Sequence, residues 1–412
     1  MRVESGSTAK LDRVDGELRV GRGARVTAAK GKAVTVTGGA RFDGGAEVDC
    51  DFECDSLWAE SGTIKVIGDL RVRKGIDVAH TAQVDGEIRA EQVDVGGRLT
   101  AGSVVCEKSV RVGGTVEVRQ GLEADTVDVG GVVTVRGLVK LRDLEVGGKA
   151  EVGGGSISGR TRVGGIFESR GPLDFGDMQV YGKCTLPAGC KGEKISTFGK
   201  LSVNGKISCM DIEAGGLADV DGDCSAGKVK INGRLNVTGS LSVEAAVENY
   251  GLGEVGGEFR AAELNANGKL RAKRIVLVER ADVSGEVETR EGMKAKLIIV
   301  GSGSKCRGVL VGGRVELGEG RFGLADWSAN WVGQAINMRL VGRETRVEDV
   351  YADEVVLAPY TRCGKVFAKK VEVGEGCVVD QLSYTEEVTG DTRRAHFTRE
   401  PQKVDKLPPF PL

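Results

Sequence analysis

Ten cysteines and two histidines are the side chains of this 412-residue chain best suited to nucleophilic, acid–base or metal chemistry. Their spacing limits what they can do. Cys50 and Cys54 stand four apart and would begin a metal site, but no second pair of Cys or His follows at ligand spacing. Cys184, Cys190, Cys209 and Cys224 fall at alternating positions, where a small thiol fills a core. His80 and His396 lie in irregular stretches without a Ser or Cys partner at the spacing of any triad. No GxxxxGK[ST] string occurs, and Val-Gly-Gly strings repeat with a period that marks corners rather than phosphate cradles. Carboxylates are dispersed, without the cluster that a sugar-cleaving β-helix enzyme needs. The chain is therefore read as non-enzymatic, and no catalytic, cofactor-binding or metal-binding residue is assigned.

The elements that would position a site follow from composition. Gly fills 64 positions while Phe, Trp and Tyr together make 4% of the chain, so the core must be thin and built from Val, Ile, Leu and Ala. Only 7 prolines occur and the glycines have no triplet period, which excludes collagen and most low-complexity sequences. Basic residues number 58 against 60 acidic, and a net charge of −2 removes the electrostatic case for a nucleic-acid partner. The longest aliphatic runs, 275–278 and 297–300, are too short to span a bilayer, and residues 1–18 carry charges every few positions, unlike a signal peptide. Ten cysteines without paired CxxC clusters point to a reducing compartment, so a cytoplasmic location is expected.

Gly-Gly recurs at Gly96, Gly113, Gly130, Gly147 and Gly164, 17 residues apart each time. Cutting the chain every 17 residues from Val93 to Val229 yields nine units with Gly at the fifth place, Gly131 and Gly148 among them. One residue inserted near Asn249 shifts the frame, which Gly251, Gly268 and Gly285 then continue. Inside a unit the apolar residues alternate, as in Val127, Val129, Val133, Val135, Val139 and Leu141, and a period of two means strand. Three short strands and three corners make a triangular coil, with the corner glycines expected at left-handed φ. The predicted fold is all-β: a single long three-sided parallel β-helix, or β-solenoid, of about 17 residues per coil. Asp94, Arg111, Asp128, Glu145 and Arg162 largely alternate in sign up one outer face, an arrangement that sets register more than stability.

Five segments result. Residues 1–92 carry strand-like pieces at 14–20, 33–37, 63–72 and 84–90 and are read as irregular coils with longer corners. Residues 93–314 hold the regular repeat. Residues 315–348 form an aromatic interruption in which Leu324, Trp327, Trp331, Ala335 and Met338 fall at helical spacing, as a short helix, a cap, or a partner site carried by Trp327 and Trp331. Residues 349–389 resume as coils of 16. Residues 390–412 form a Pro-containing tail that is not expected to continue strands.

The motif Val-x-Gly-x-Ile-x-Ala-x-x-Val appears at Val84, Gly86, Ile88, Ala90 and Val93. It returns as Val255, Gly257, Phe259, Ala261 and Leu264, and without its first Val as Gly364, Val366, Ala368 and Val371. In this the chain resembles the bactofilins, polymer-forming cytoskeletal proteins. The resemblance implies a right-handed β-helix, end-to-end assembly into filaments without nucleotide or cofactor, and a scaffold role in the cytoplasm. The terminal coils would carry that assembly, through Val14, Leu18 and Val20 at one end and Val371, Val373, Val378 and Leu382 at the other. The expected partner is the chain itself, together with other cytoplasmic proteins bound through residues 321–345 or the tail, and neither nucleic acid nor a membrane span is expected. The competing reading is a monomeric spacer that displays a partner site on one face or on its tail. Open terminal edges favour the first reading, and a cap favours the second.

Overall fold

The computed structural model describes residues 1–318, 344–409 and 411. Its regular elements are all β-strands, laid parallel and stacked as a β-solenoid with roughly 17 residues per turn. Two compact units, Met1–Asn204 and Gly205–Leu412, share this architecture.

In the first unit the register explains the repeat. Val93 pairs with Val110, Val110 with Val127, and Val127 with Leu144, so each residue stands over its equivalent in the coil before. Side chains of a strand alternate between two faces, and equivalent residues therefore form continuous inward columns. Val116, Val133 and Ala150 make another such column, and none of these seven side chains is more than 1% exposed. Each buried Val or Leu contributes about 1.5–3 kcal/mol relative to an exposed one. Long, narrow columns of aliphatic side chains thus replace the aromatic core of a globule.

One column contains a polar exception. Thr161 stands inward between Leu144 and Met178, is 0% exposed, and its Oγ1 has no hydrogen-bond partner among the described residues. A buried hydroxyl left unpaired costs about 1–3 kcal/mol. Thr161→Val puts a methyl of nearly equal size in its place and is expected to stabilise the protein by about 1 kcal/mol, or roughly 2–4 °C in Tm for a unit of this size. Calorimetry showing an unchanged or lower Tm would reject this account.

Residues 1–92 form irregular coils with longer corners. Leu18 pairs with Ala40, 22 places on, because the corner around Gly31 is lengthened and Gly31 turns it at φ +74°. The strand expected over 14–20 is divided between two coils: Arg13–Val14 closes the first, the chain bends at 15–17, and Leu18–Val20 opens the second. Periodicity could not reveal this bend, since apolar residues on both sides of it keep the same alternation.

The corner glycines also differ from expectation. None of the Gly-Gly corners at 96–97, 113–114, 130–131, 147–148 and 164–165 has left-handed φ. Their requirement is steric: a Cβ added to Gly131 would lie 2.4 Å from the carbonyl oxygen of Gly114. One added to Gly148 would lie 2.5 Å from that of Gly131. Successive corners stack so closely that each carbonyl occupies the space of the next side chain. At the next corner of these coils, after the strand Lys149–Val152, Gly154 does adopt left-handed φ, at +113°.

The second unit repeats the pattern with two changes of period. Ile212 pairs with Val229, but Val229 pairs with Val247, and the added residue sits at the corner 244–245, just before the expected position. Later coils shorten to 16, since Val350 pairs with Val366 and Val355 with Val371. The strand Lys305–Leu317 pairs directly with Thr345–Leu357, so the coils close on one another across the interruption. The interruption is accordingly narrower than 315–348, because 315–317 and 345–348 are parts of coils. Trp327 and Trp331 lie outside the described residues.

Beyond Gly390 the tail does continue the strands, contrary to expectation. His396–Phe397 pairs with Val378 and Val379, and Gln402–Lys403 pairs with Ser383 and Tyr384. Further ties hold it: the amide of His396 donates to the carbonyl of Cys377 at 2.7 Å, that of Val404 to Tyr384 at 2.8 Å, and Arg394 Nη1 contacts Glu375 Oε1 at 3.1 Å. The prolines of this segment begin at Pro401, so His396–Phe397 fits before them and Gln402–Lys403 fits between Pro401 and Pro408.

Candidate interaction surfaces

The core thiols are held away from chemistry. All ten cysteines are free, and Cys184, Cys190, Cys209 and Cys224 are buried, as their inward places require. Burial pushes the Cys54 and Cys224 thiols up to about 12, and Cys184 is raised by the same cause. Cys50, half-buried at a corner, is raised to about 11, first by burial and then by Asp49 and Asp51. Thiols shifted in this direction stay protonated at neutral pH and are poor nucleophiles and poor metal ligands. Among the described residues no three His, Cys, Asp or Glu side chains converge as a metal-binding group. No helix among them is long and apolar enough to cross a membrane.

The strand edges at the two ends are unlike each other. In the first coil Arg2–Val3, Thr8–Leu11 and Arg13–Val14 are paired, among the described residues, only to the coil that follows. The carbonyls of Ser7 and Leu11 accept the amides of Arg25 and Ala29, each at 2.8 Å. Alternation then turns the peptide groups of Thr8 and Lys10 to the outer side of the stack. Of the residues expected at this edge only Val14 belongs to the first coil. Leu18 and Val20 lie in the second, 0% and 1% exposed. At the other end Val371, Val373 and Leu382 are buried, Val378 is half-buried, and the short strands of the tail cover the coil that holds Val378 and Leu382. Phe397, half-buried, stands on Val379 and ends that inward column. Strand periodicity found these apolar residues but could not tell an inward column from an outer edge.

Two outer features of the first unit complete the surface. Tyr181 and Phe198 stack with ring centroids 5.3 Å apart while remaining 55% and 57% exposed. They occupy the place that Gly96 to Gly164 fill in earlier coils, and this break in the glycine column was the available signal for them. On an adjoining face, a hollow of about 610 Å3 is lined by Arg111, Asp128, Glu145, Arg160, Arg162 and Asp177 with their neighbours. The alternation of Asp94, Arg111, Asp128, Glu145 and Arg162 marks one column of this face. The parallel column of Thr126, Asp143, Arg160 and Asp177 becomes apparent only when the coils are stacked.

No protein-family model, no curated protein and no solved structure matches the chain.

Proposed function

We propose that this chain is a non-enzymatic, bactofilin-like scaffold of the cytoplasm that self-associates end to end without nucleotide. The observation that supports the reading is the outer edge of the first coil, where the peptide groups of Thr8 and Lys10 face away from the second coil and, among the described residues, meet no strand on that side. An edge of this type pairs readily with another strand, and a second copy of the chain supplies one of matching coil spacing. The covered coil at the C-terminal end favours a second reading, a monomeric spacer, because a capped edge does not template further pairing.

Lys10→Pro separates the two. It removes an outward N–H and leaves the bonds to the second coil in place. Wild-type protein at high concentration and near-physiological salt is expected to form elongated assemblies by electron microscopy and light scattering. Lys10→Pro is expected to lower the assembled fraction at least tenfold with little change in Tm. A wild-type protein that stays monomeric under these conditions would overturn the scaffold reading and leave the spacer.

A further inference from the structure

We infer that the outer face carrying residues 126–128, 143–145, 160–162 and 177–179 is a contact surface for a second copy of this chain, packed antiparallel across a two-fold axis. The argument starts from register. Thr126 and Asp128 are followed one coil later by Asp143 and Glu145. Glu145 is followed by Arg162, and Arg160 and Arg162 by Asp177 and Gln179. Two acids on one coil thus adjoin two arginines on the next, in the same two columns.

Arg160 and Arg162 are exposed, and among the described residues neither forms an ion pair within its own chain. Arg142 nearby is different, since Asp125 and Asp143 hold it at 2.6 and 2.8 Å. Glu145 is exposed as well and enters no ion pair among the described residues. The side chains stand around the hollow of about 610 Å3 rather than filling it, so their charges face outward across an open surface.

A second copy is the occupant that this pattern fits. Consider a two-fold axis lying along the strands, between the coil of Glu145 and the coil of Arg162. It places each Glu145 opposite Arg162 of the second copy, and each Asp143 opposite its Arg160. One coil farther out, Asp128 meets Gln179 and Thr126 meets Asp177, both hydrogen-bonding combinations. No like charges oppose each other within these four coils. An in-register parallel arrangement exchanges the two columns instead, so that Asp143 meets Glu145 and Arg160 meets Arg162. Charge therefore selects the antiparallel arrangement and rejects the parallel one.

The contact is small. Four coils at ~4.8 Å and strands of four residues at ~3.3 Å cover on the order of 250 Å2 per copy, well below the ~800 Å2 of a standard interface. Association through this face alone is thus weak and salt-sensitive, and it gains strength where copies are already held together by another contact.

Charge reversal with mixing tests the proposal. Arg162→Glu and Glu145→Arg each place like charges opposite one another in a symmetric pair, and each alone should weaken self-association at least tenfold in sedimentation velocity at low ionic strength. An equimolar mixture of the two variants should regain wild-type association, because both Glu145–Arg162 contacts of the mixed pair are again between opposite charges. Added salt should weaken the wild-type and mixed associations alike. The inference does not rest on the terminal edge, and Lys10→Pro should leave this association unchanged. It is overturned if the wild type shows no salt-sensitive association, if either reversal alone associates as the wild type does, or if the mixture recovers nothing.

Discussion

Replacing Gly131 by valine is expected to destabilise the protein by about 3 kcal/mol, and alanine at the same site by about 1–2 kcal/mol. The cause is the 2.4 Å that would separate the new Cβ from the carbonyl oxygen of Gly114, part of a backbone corner that is itself stacked and cannot swing aside. This cause differs measurably from a demand for left-handed φ. At a left-handed glycine with open space around it, such as Gly23 at φ +66°, asparagine is tolerated better than alanine. At Gly131 asparagine should cost at least as much as alanine, because the obstacle is the Cβ itself. Thr134→Val, on the half-buried outer side of the neighbouring strand, should change stability by less than about 0.5 kcal/mol. Thermal or urea unfolding of these variants decides the matter, and equal stabilities for the Gly131 and Thr134 variants would defeat the corner account.

Leu18→Arg should unfold the beginning of the solenoid rather than act on an exposed end. Leu18 is 0% exposed, inward on the second coil, and paired to Ala40 of the third. An arginine there loses the transfer energy of the leucine and brings an unpaired charge into a column of aliphatic groups, at a total cost of about 4 kcal/mol or more. Val20→Arg, at 1% exposure, should behave likewise. Limited proteolysis is expected to cut both variants within the first 40 or so residues, while the wild type resists there. Variants that keep wild-type stability would contradict the inward placement of these side chains. A change on the outer edge, such as Lys10→Pro, is thus the informative probe of assembly, and the buried positions are not.

These cases mark the division between sequence and tertiary structure. A strand places successive side chains on opposite faces by local geometry alone, so the alternation of Val127, Val129, Val133 and Val135 already states which residues face inward. The 17-residue return of glycine likewise states that corners recur in register, and these two facts were enough for the coil, the repeat, the buried thiols and the shortening to 16 near Val350 and Val366. The reason for glycine at Gly131 was not legible, because nothing near it in the chain reveals that Gly114, 17 residues earlier, brings a carbonyl against it. The outermost strands were hidden as well: in Thr8–Leu11 only Leu11 is buried, and His396–Phe397 is two residues long, so neither shows the alternation that marks a strand. Pairing with a neighbouring coil makes them strands, by supplying hydrogen bonds their own sequence does not announce. The facing of Glu145 and Arg162 is of the same kind, since a column of charges exists only once the coils are stacked.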